Sequence, residues 1–283
     1  MNPNKTLLAI VLFLIAGNIS IGQQLVKVWE TEAVFQIPES VLYNPDSGDI
    51  FVSNIQGPSA EKDGEGFISI LGTDGKVKNL KWVAGLNAPK GMAVFDGKLY
   101  VSDVDALVEI DIKKATITKR HPVKDAIFLN DVAVSESGMV FVSDSKTGKI
   151  YVLDKNEISE VLREPISGTN GLFAADDKLY IGSGKIHAMD LKTRELKILY
   201  EDAGGVDGIE LMDDGNFLFS HWAGRIFITQ GDKTIKLLDT SEAGINSADI
   251  DYAKEIGLVL VPTFRDNRVV AYKLTGKNTA PAR

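Results

Sequence analysis

Four oxygen-bearing side chains recur at nearly regular intervals along the chain and could together hold a metal ion. They are Glu39, Asn130, Asn170 and Asp207. An interval of about forty residues also marks Lys90 and Ala248 as equivalent positions. Two carboxylates that meet out of water repel each other and resist desolvation unless a cation balances them. Mixed carboxylate and amide oxygens suit Ca²⁺, with Mn²⁺, Mg²⁺ and Zn²⁺ as alternatives.

Each of these six positions opens a repeat unit of similar sequence. Within a unit, two apolar runs flank a turn such as Asp96-Gly97, and a third and a fourth apolar run follow. Short β-branched and aromatic runs around Asp-Gly indicate β-hairpins. Four antiparallel strands in about forty residues are typical of a propeller blade. The sequence therefore predicts an all-β protein, a six-bladed β-propeller with four-stranded antiparallel blades.

The two ends of the chain are predicted to complete one blade together. The last unit stops after Val269–Lys273 and lacks its outer strand, whereas Leu25–Trp29 precedes the first unit and has strand composition. We expect this N-terminal strand to close the ring, which would leave no open sheet edge there.

Propeller geometry should bring the recurring positions to one mouth of the central channel. Each lies just before the innermost strand of its blade, and Gly91, Gly171 and Gly208 suit the close backbone approach expected there. The second strand runs back to the same face, so we expect its last side chains to rim that mouth. These are Asn54, Asp103, Asp144, Ser183, His221 and Thr263. Of these, His221 is a candidate for touching substrate or carrying protons.

A purely structural role for the same side chains is the alternative. Asn and Asp at the start of a strand commonly form hydrogen bonds with loop backbone. One such residue would favour that interpretation, whereas four in register favour a metal site.

Several segments resemble the senescence-marker-protein/gluconolactonase family, which comprises regucalcin-like six-bladed propellers related to paraoxonases. Asp207-Gly208, followed by the turn at 213–216 and by Gly224-Arg225-Ile226, is similar to that family's last metal-ligand segment. Thr169–Leu172 resembles its Ser-Asn-Gly segment, and Phe128–Asp131 resembles its Asn-Asp segment. Glu39 lies where the family's first acidic ligand opens blade one.

The resemblance implies hydrolysis of lactones and related esters that depends on a divalent metal. Glu39, Asn170 and Asp207 would bind the metal, and Asn130 would bind the metal or the substrate. Water would attack the polarised carbonyl with Asp207, or hydroxide on the metal, as the base. The family's Glu-Gly-Pro opening is Glu-Ser-Val here, and Phe128 replaces an arginine that contacts sugar hydroxyls in related lactonases. This change indicates a substrate less polar than gluconolactone.

A rival interpretation is a non-catalytic exported propeller that binds a small ligand or a protein partner through the same mouth. Propellers host many functions, so the fold itself does not decide between an enzyme and a binding protein.

Composition excludes several other classes of function. The chain has 283 residues, 44% of them hydrophobic and 25% charged, and its formal net charge of −8 offers no basic excess for nucleic acid or anionic membranes. The absence of cysteine excludes disulfides, thiolate nucleophiles and Cys-based zinc sites. We expect a monomer that acts on a small-molecule substrate.

The first residues predict an export signal. Lys5 precedes an apolar run from Leu7 to Gly17, and small residues before the following Gln23 allow cleavage after Gly22. The run is too short for an anchor of ~20 apolar residues, although an uncleaved anchor is the alternative. We therefore expect a signal peptide over 1–22, one propeller domain over 23–275 and a polar tail over 276–283. The mature protein would be periplasmic or secreted, without a membrane anchor.

Overall fold

The computed structural model describes residues 22–276. The expected signal peptide, apart from Gly22, and the tail after Gly276 lie outside these residues, so both stay predictions. In the described part, no helix is long and apolar enough to cross a membrane. The helices there are three short 3₁₀ turns, Ser241–Ala243, Lys254–Ile256 and Phe264–Asp266.

Six antiparallel sheets of four strands form the blades of a β-propeller, as the sequence predicts. Blades 1 and 2 consist of β2 (Pro38–Asn44), β3 (Asp49–Asn54), β4 (Gly66–Gly72), β5 (Val77–Leu86), β6 (Pro89–Phe95), β7 (Lys98–Asp103), β8 (Ala106–Asp111) and β9 (Thr116–Pro122). Blades 3 and 4 consist of β10 (Leu129–Val134), β11 (Val140–Asp144), β12 (Lys149–Asp154), β13 (Glu157–Glu160), β14 (Leu172–Ala175), β15 (Lys178–Gly182), β16 (Ile186–Asp190) and β17 (Leu196–Tyr200). Blades 5 and 6 consist of β18 (Ile209–Leu211), β19 (Phe217–His221), β20 (Arg225–Gln230), β21 (Lys233–Asp239), β22 (Asp251–Ala253), β23 (Leu258–Pro262), β24 (Val269–Thr275) and β1 (Gln24–Glu30).

Tight turns set the register of the hairpins. The pair Phe95 and Lys98 closes a two-residue loop in which Asp96 and Gly97 have φ of 47° and 70°. Two consecutive positive φ values are typical of the type I′ turn, whose twist matches that of antiparallel strands. The Asp-Gly signal in the sequence therefore predicts this hairpin correctly.

Apolar packing lies between neighbouring blades rather than in one central core. Six of the buried clusters each join residues from two adjacent blades. The cluster around Phe35, Ile50 and Leu260, for example, joins blade 1 to blade 6. The first strands of successive blades pack against each other around the channel, so their starting residues meet at one end.

The N-terminal strand closes the ring as predicted. β1 pairs antiparallel with β24 from Gln24 opposite Thr275 to Glu30 opposite Val270. The Trp29 indole Nε1 donates a hydrogen bond to the Thr73 carbonyl oxygen at 2.9 Å, which ties this outer strand to the β4–β5 turn of blade 1.

Removing this strand should therefore destabilise the whole ring. Deletion of 24–30 would expose the hydrogen-bonding edge of β24 and the apolar contacts beneath it. We expect aggregation in size-exclusion chromatography, or a melting temperature at least ~10 °C lower, because the contacts of one blade strand stabilise the fold by several kcal/mol. The control Lys27→Ala keeps the backbone pairing and should melt within about 1 °C of the parent. A deletion protein that is monomeric and melts like the parent would contradict this role for β1.

Candidate functional site

A cavity of about 330 Å³ lies at the end of the channel where the first strands begin. The four predicted metal ligands, Glu39, Asn130, Asn170 and Asp207, all line it. The structure thus brings together residues from blades 1, 3, 4 and 5 that are up to 168 positions apart in the sequence. Convergence at one mouth is the arrangement that the repeat predicts.

Irregular strand pairing aims these side chains into the cavity. In blade 1 the pairing of β2 with β3 moves from Pro38 opposite Asn54 to Val41 opposite Val52, so the register shifts at Glu39. The same shift occurs around Lys90 in blade 2 and around Asn130 in blade 3. A bulge of this kind re-aims a side chain and is frequent beside active sites.

Glycines that directly follow Lys90, Asn170 and Asp207 allow neighbouring blades to approach closely. A Cβ on Gly171 would lie 2.2 Å from the Asp207 carbonyl oxygen, and one on Gly208 would lie 2.4 Å from the Ile250 nitrogen. Gly91 is equally confined against Asp131. The expectation of crowded backbones at these positions is confirmed, and side chains there would push the site apart.

Serines of the second strands connect neighbouring blades beneath the mouth. The Ser143 hydroxyl accepts a hydrogen bond from the Asp131 amide at 3.0 Å and donates one to the Asn170 carbonyl oxygen at 2.8 Å. Ser102 likewise donates to the Asn130 carbonyl oxygen. These bonds hold the backbone of one blade's ligand residue against the blade before it. The recurring Val-Ser before the end of the second strand is the sequence signal for this role.

The residues expected to rim the mouth lie elsewhere. Asp103 is fully buried and accepts hydrogen bonds from the amides of Asn87 at 2.8 Å and Ala88 at 2.9 Å. Asn54 and Asp144 accept amide hydrogen bonds from the loops before β2 and β10 in the same way. They fix the loops that lead into the site instead of facing it. None of the six expected rim residues lines the cavity, which corrects their predicted placement.

His221 is the one of these six with a predicted role toward substrate. Its Nε2 lies 2.6 Å from the Ala203 carbonyl oxygen, and its ring packs 4.5 Å from that of Phe227, between ring centroids. The ring also lies against Gly204, where a Cβ would come within 2.7 Å of it. The structure therefore does not bring His221 together with the four predicted metal ligands.

Within residues 22–276, no ion pair neutralises the two buried carboxylates of the cavity. Glu39 is 6% exposed and Asp207 is 4% exposed. The Glu39 Oε2 atom is buried and has no hydrogen-bond partner in the described part of the chain, whereas Asp207 Oδ1 accepts a bond from Asn170 Nδ2 at 2.6 Å. Burial raises the pKa of Glu39 well above its usual range, and repulsion by Asp207 and Asp249 raises it further. Burial also raises the pKa of Asp207 to about 7, although the bond from Asn170 opposes this.

This donor set fits a hard divalent cation. Within residues 22–276, no three acidic or imidazole side chains converge in a way that could hold a metal ion. The set here is instead two carboxylates and two amides, so a cation would need water or substrate to complete its coordination. The unpartnered Glu39 oxygen is the structural feature that a bound cation would explain, because a buried anion is costly unless it is compensated.

The sequence predicts that Lys90 pairs with a carboxylate of the channel. Lys90 does line the cavity, but in residues 22–276 no carboxylate forms an ion pair with it, which corrects that prediction. Its side chain is 1% exposed, donates one hydrogen bond to the Ala88 carbonyl oxygen at 3.0 Å, and lies with Nζ 4.3 Å from the centre of the Phe128 ring. Burial lowers the pKa of Lys90 to about 8, and attraction to Glu39 and Asp103 acts in the opposite direction. The cavity therefore contains one buried basic side chain as well as two buried acidic ones.

Aromatic side chains form the outer wall of the cavity. Phe128, Trp222 and Phe264 line it, and the rings of Trp222 and Phe264 meet edge to face with centroids 5.5 Å apart. The Arg265 guanidinium lies 5.1 Å from the centre of the Trp222 ring. Phe264 has a positive φ of 50°, a strained conformation for a bulky residue that is often found at functional sites. This wall suits an apolar, flat portion of a ligand.

The opposite end of the channel holds further carboxylates that sequence reasoning missed. Asp131, Glu210, Asp249 and Asp251 line a second cavity of about 410 Å³. Burial raises the pKa of all four, that of Asp251 to about 7. They follow the recurring positions by one or three residues, a spacing that places side chains on one face of a strand. That spacing is the signal that could have identified them.

No protein-family model and no curated protein sequence matches this chain. Solved structures that it resembles include a catalytically inactive virginiamycin B lyase from Staphylococcus aureus with quinupristin, at TM-score 0.62 and 13% identity over 90% of this chain and 99% of that chain. A streptogramin B lyase gives TM-score 0.63 at 12% identity, over 90% of this chain and 98% of that one. Selenomethionine-substituted virginiamycin B lyase from Staphylococcus aureus gives 0.64 at 11% identity, over 90% and 99%. At these identities the likeness shows the propeller fold alone.

A divalent cation should stabilise the folded protein through this site. Binding to the folded state alone adds about 2.7 kcal/mol when free cation is a hundredfold above its dissociation constant. For a chain of this size we expect Ca²⁺ to raise the melting temperature of chelator-treated protein by roughly 5 °C. Glu39→Gln should abolish the increase, and Glu157→Gln, at an exposed position, should retain it. An equal Ca²⁺ response in the parent and Glu39→Gln proteins would contradict the site.

The buried carboxylates also predict how stability depends on pH when no cation is bound. Asp207 and Asp251 have a pKa of about 7 in the folded chain, against about 3.9 in an unfolded one. The folded state therefore binds more protons between these values, and stability falls as pH rises through that window. His187 and His221, whose pKa is lowered by burial, oppose this trend below about pH 6.5. They are outnumbered by the six buried carboxyl groups of the two cavities, all of which have a raised pKa.

We therefore expect chelator-treated protein to melt several degrees higher at pH 5 than at pH 8 in scanning calorimetry. Asp251→Asn, which removes one contributing group far from the candidate ligands, should make the difference smaller. A melting temperature that rises between these pH values would show that the carboxylates are compensated within the fold.

Proposed function

We propose that this protein is a divalent-cation-dependent hydrolase of lactones and related esters that acts at the mouth cavity. The observation that carries this proposal is the convergence of Glu39, Asn130, Asn170 and Asp207 on one cavity, with a buried Glu39 oxygen left unpartnered. The gluconolactonase-like segments in the sequence support the same assignment. Ca²⁺ is the proposed cation, and export from the cytoplasm remains part of the proposal.

The four oxygen-bearing side chains of the cavity have different proposed roles in hydrolysis. Glu39, Asn170 and Asp207 would hold the cation, and Asn130, whose amide donates to Ser145 Oγ at 3.0 Å, would direct its oxygen to cation or substrate. A bound divalent cation polarises a carbonyl group and balances the negative charge that develops on its oxygen. Two carboxylates and two amides would hold that cation at the channel mouth.

Asp207 is the proposed base. Asn170 occupies its Oδ1, which leaves Oδ2 as the proton acceptor. Asp207 takes a proton from water as the water oxygen bonds to the carbonyl carbon, and the ring C–O bond then breaks. The leaving oxygen receives that proton, so a lactone gives a hydroxy acid and Asp207 is regenerated.

The walls of the cavity define the proposed substrate more narrowly. Phe128 offers no hydrogen bond to a sugar hydroxyl, and Trp222 and Phe264 extend the apolar surface. We therefore expect alkyl-substituted and aromatic lactones, such as γ-nonalactone and dihydrocoumarin, to be better substrates than glucono-δ-lactone.

The second candidate function is non-catalytic binding of a small ligand or of a protein partner through the same mouth. The aromatic wall favours it, because its three rings, one of them that of the strained Phe264, would retain an apolar ligand whether or not it reacts. Binding of γ-nonalactone without turnover would support this function instead of hydrolysis.

Replacement of Asp207 separates the base from the fold. Asp207→Asn keeps the shape and one oxygen but removes the charge, so turnover should fall by at least ~10²-fold while the protein remains folded. Asp213→Asn is the matched control, because Asp213 lies on the surface in an ion pair with Lys254 and should leave turnover unchanged. Lactone opening in the presence of Ca²⁺, and after its removal by chelator, would be followed by pH-stat titration.

Hydrolysis in H₂¹⁸O tests the reaction type. One ¹⁸O atom in the hydroxy acid indicates addition of water, whereas an unsaturated product without ¹⁸O would indicate elimination, the type of reaction for which the structural neighbours are named. Parent-like turnover by Asp207→Asn with cation bound would show that Asp207 is not the base.

A further inference from the structure

The mouth cavity holds a buried ammonium group that no carboxylate of the described chain neutralises. Lys90 is 1% exposed, yet no Asp or Glu oxygen in residues 22–276 lies within 4.0 Å of its Nζ. Lysine is almost never fully buried unless it is paired, because an isolated ammonium loses its hydration without compensation. The position of Lys90 therefore calls for an explanation beyond packing.

The two carboxylates that attract the Lys90 ammonium, Glu39 and Asp103, do not form an ion pair with it. Asp103 binds the Arg120 guanidinium at 2.9 Å and accepts further bonds from the amides of Asn87 and Ala88, so its oxygens are used. Glu39 lines the same cavity and attracts Lys90, but its Oε2 has no partner. The fold thus keeps a buried acidic side chain and a buried basic side chain apart in one cavity.

The Lys90 ammonium is nonetheless held in one place. One of its three N–H groups donates to the Ala88 carbonyl oxygen, and the face of Phe128 lies 4.3 Å away. A cation over an aromatic face is stabilised by the ring's negative surface, more strongly when water is excluded. No acceptor in the described chain takes the two remaining N–H groups, although the side chain lines a cavity of ligand size.

The sum of charges shows what the cavity would attract once a cation is bound. Among the buried side chains, Glu39 and Asp207 would contribute two negative charges that a divalent cation balances, so the Lys90 ammonium would leave an excess of one positive charge. The exposed Arg265 guanidinium, which also lines the cavity, adds to this excess. A neutral lactone gains little from this excess, whereas an oxygen that becomes negative during attack gains much. Donors fixed in advance around a developing charge are the usual means of electrostatic catalysis.

We propose that Lys90 is a further catalytic residue, whose ammonium donates a hydrogen bond to the carbonyl oxygen on which negative charge develops. This inference rests on the proposed hydrolase function and deepens it. Phe128, which replaces the family's arginine, serves as the platform that orients this ammonium. Blade 2 thereby supplies a cationic side chain to the cavity, whereas Phe128, two residues before Asn130, carries no charge.

Substitution of Lys90 provides the test, with Lys146 as a matched control. Lys146 Nζ lies 5.9 Å from the centre of the same Phe128 ring, but its side chain is exposed and does not line the cavity. Removing one donor to the developing oxyanion typically lowers kcat by about 10² to 10³-fold. We expect this loss for Lys90→Met with KM within threefold, and parent-like kinetics for Lys146→Met.

A binding measurement makes the test independent of turnover. Phenylphosphonate presents an aromatic ring and a tetrahedral anion that resembles the attacked carbonyl. In titration calorimetry with Ca²⁺ present, Lys90→Met should bind it at least tenfold more weakly than the parent, and Lys146→Met should bind it equally. Lys90→Gln serves as a second variant if Lys90→Met does not fold.

The outcomes separate this inference from the proposed function. If the parent hydrolyses no lactone or ester, the hydrolase function fails and the catalytic role of Lys90 fails with it. If the parent hydrolyses lactones and Lys90→Met does so at the parent rate, the role of Lys90 fails alone. Phenylphosphonate binding that is absent in the parent, or within twofold of the parent in Lys90→Met, would overturn the inference. A melting temperature that falls by more than about 5 °C in the Lys90 variants, with phenylphosphonate binding unchanged, would assign Lys90 a structural role and also overturn it.

Discussion

Desolvated charge at the channel mouth is the constraint on which the site depends. Glu39, Asp207 and Lys90 are each at least nine-tenths buried, and no ion pair joins any two of them in the described chain. Removing an ion from water costs several kcal/mol after relaxation, so a fold retains such groups only if other interactions hold them there. A single strand or helix could not do so. The propeller can, because each group lies on a different blade and the blades are fixed by apolar packing between them.

The local devices that hold these groups are the same in several blades. A shift in strand register turns the ligand side chain toward the channel, and a glycine or a serine lets the next blade approach its backbone. Buried Asn54, Asp103 and Asp144 fix the preceding loops. Because these contacts involve backbone atoms, they allow the ligand side chains to differ between blades. Repetition therefore builds a rigid frame and leaves one position per repeat free to carry a different side chain toward the cavity.

The repeat in the sequence was sufficient to predict the fold and the meeting of the four oxygen donors. Strand periodicity and the spacing of about forty residues indicated the blades, and ring symmetry then placed Glu39, Asn130, Asn170 and Asp207 at one mouth. The same reasoning misplaced Asn54, Asp103 and Asp144, since whether the end of a strand faces a cavity or a loop depends on the loop's path. It also expected Lys90 to pair with a carboxylate of the channel, because the sequence does not show whether a lysine is buried or which oxygens lie within its reach. His221 illustrates the same limit, as its ring turns to the Ala203 carbonyl oxygen.

The proposed hydrolysis requires a divalent cation bound between Glu39 and Asp207 at this mouth. The most direct measurement is an anomalous difference map from crystals soaked in MnCl₂, since Mn²⁺ is an alternative ion for the same oxygen donors. If a divalent cation binds there, the map will show one strong peak in the cavity within about 2.0–2.6 Å of oxygens from Glu39 and Asp207, the distance range of hard divalent cations in proteins. A map with no peak there, or with its peak among Asp131, Asp249 and Asp251 at the other end of the channel, would contradict it.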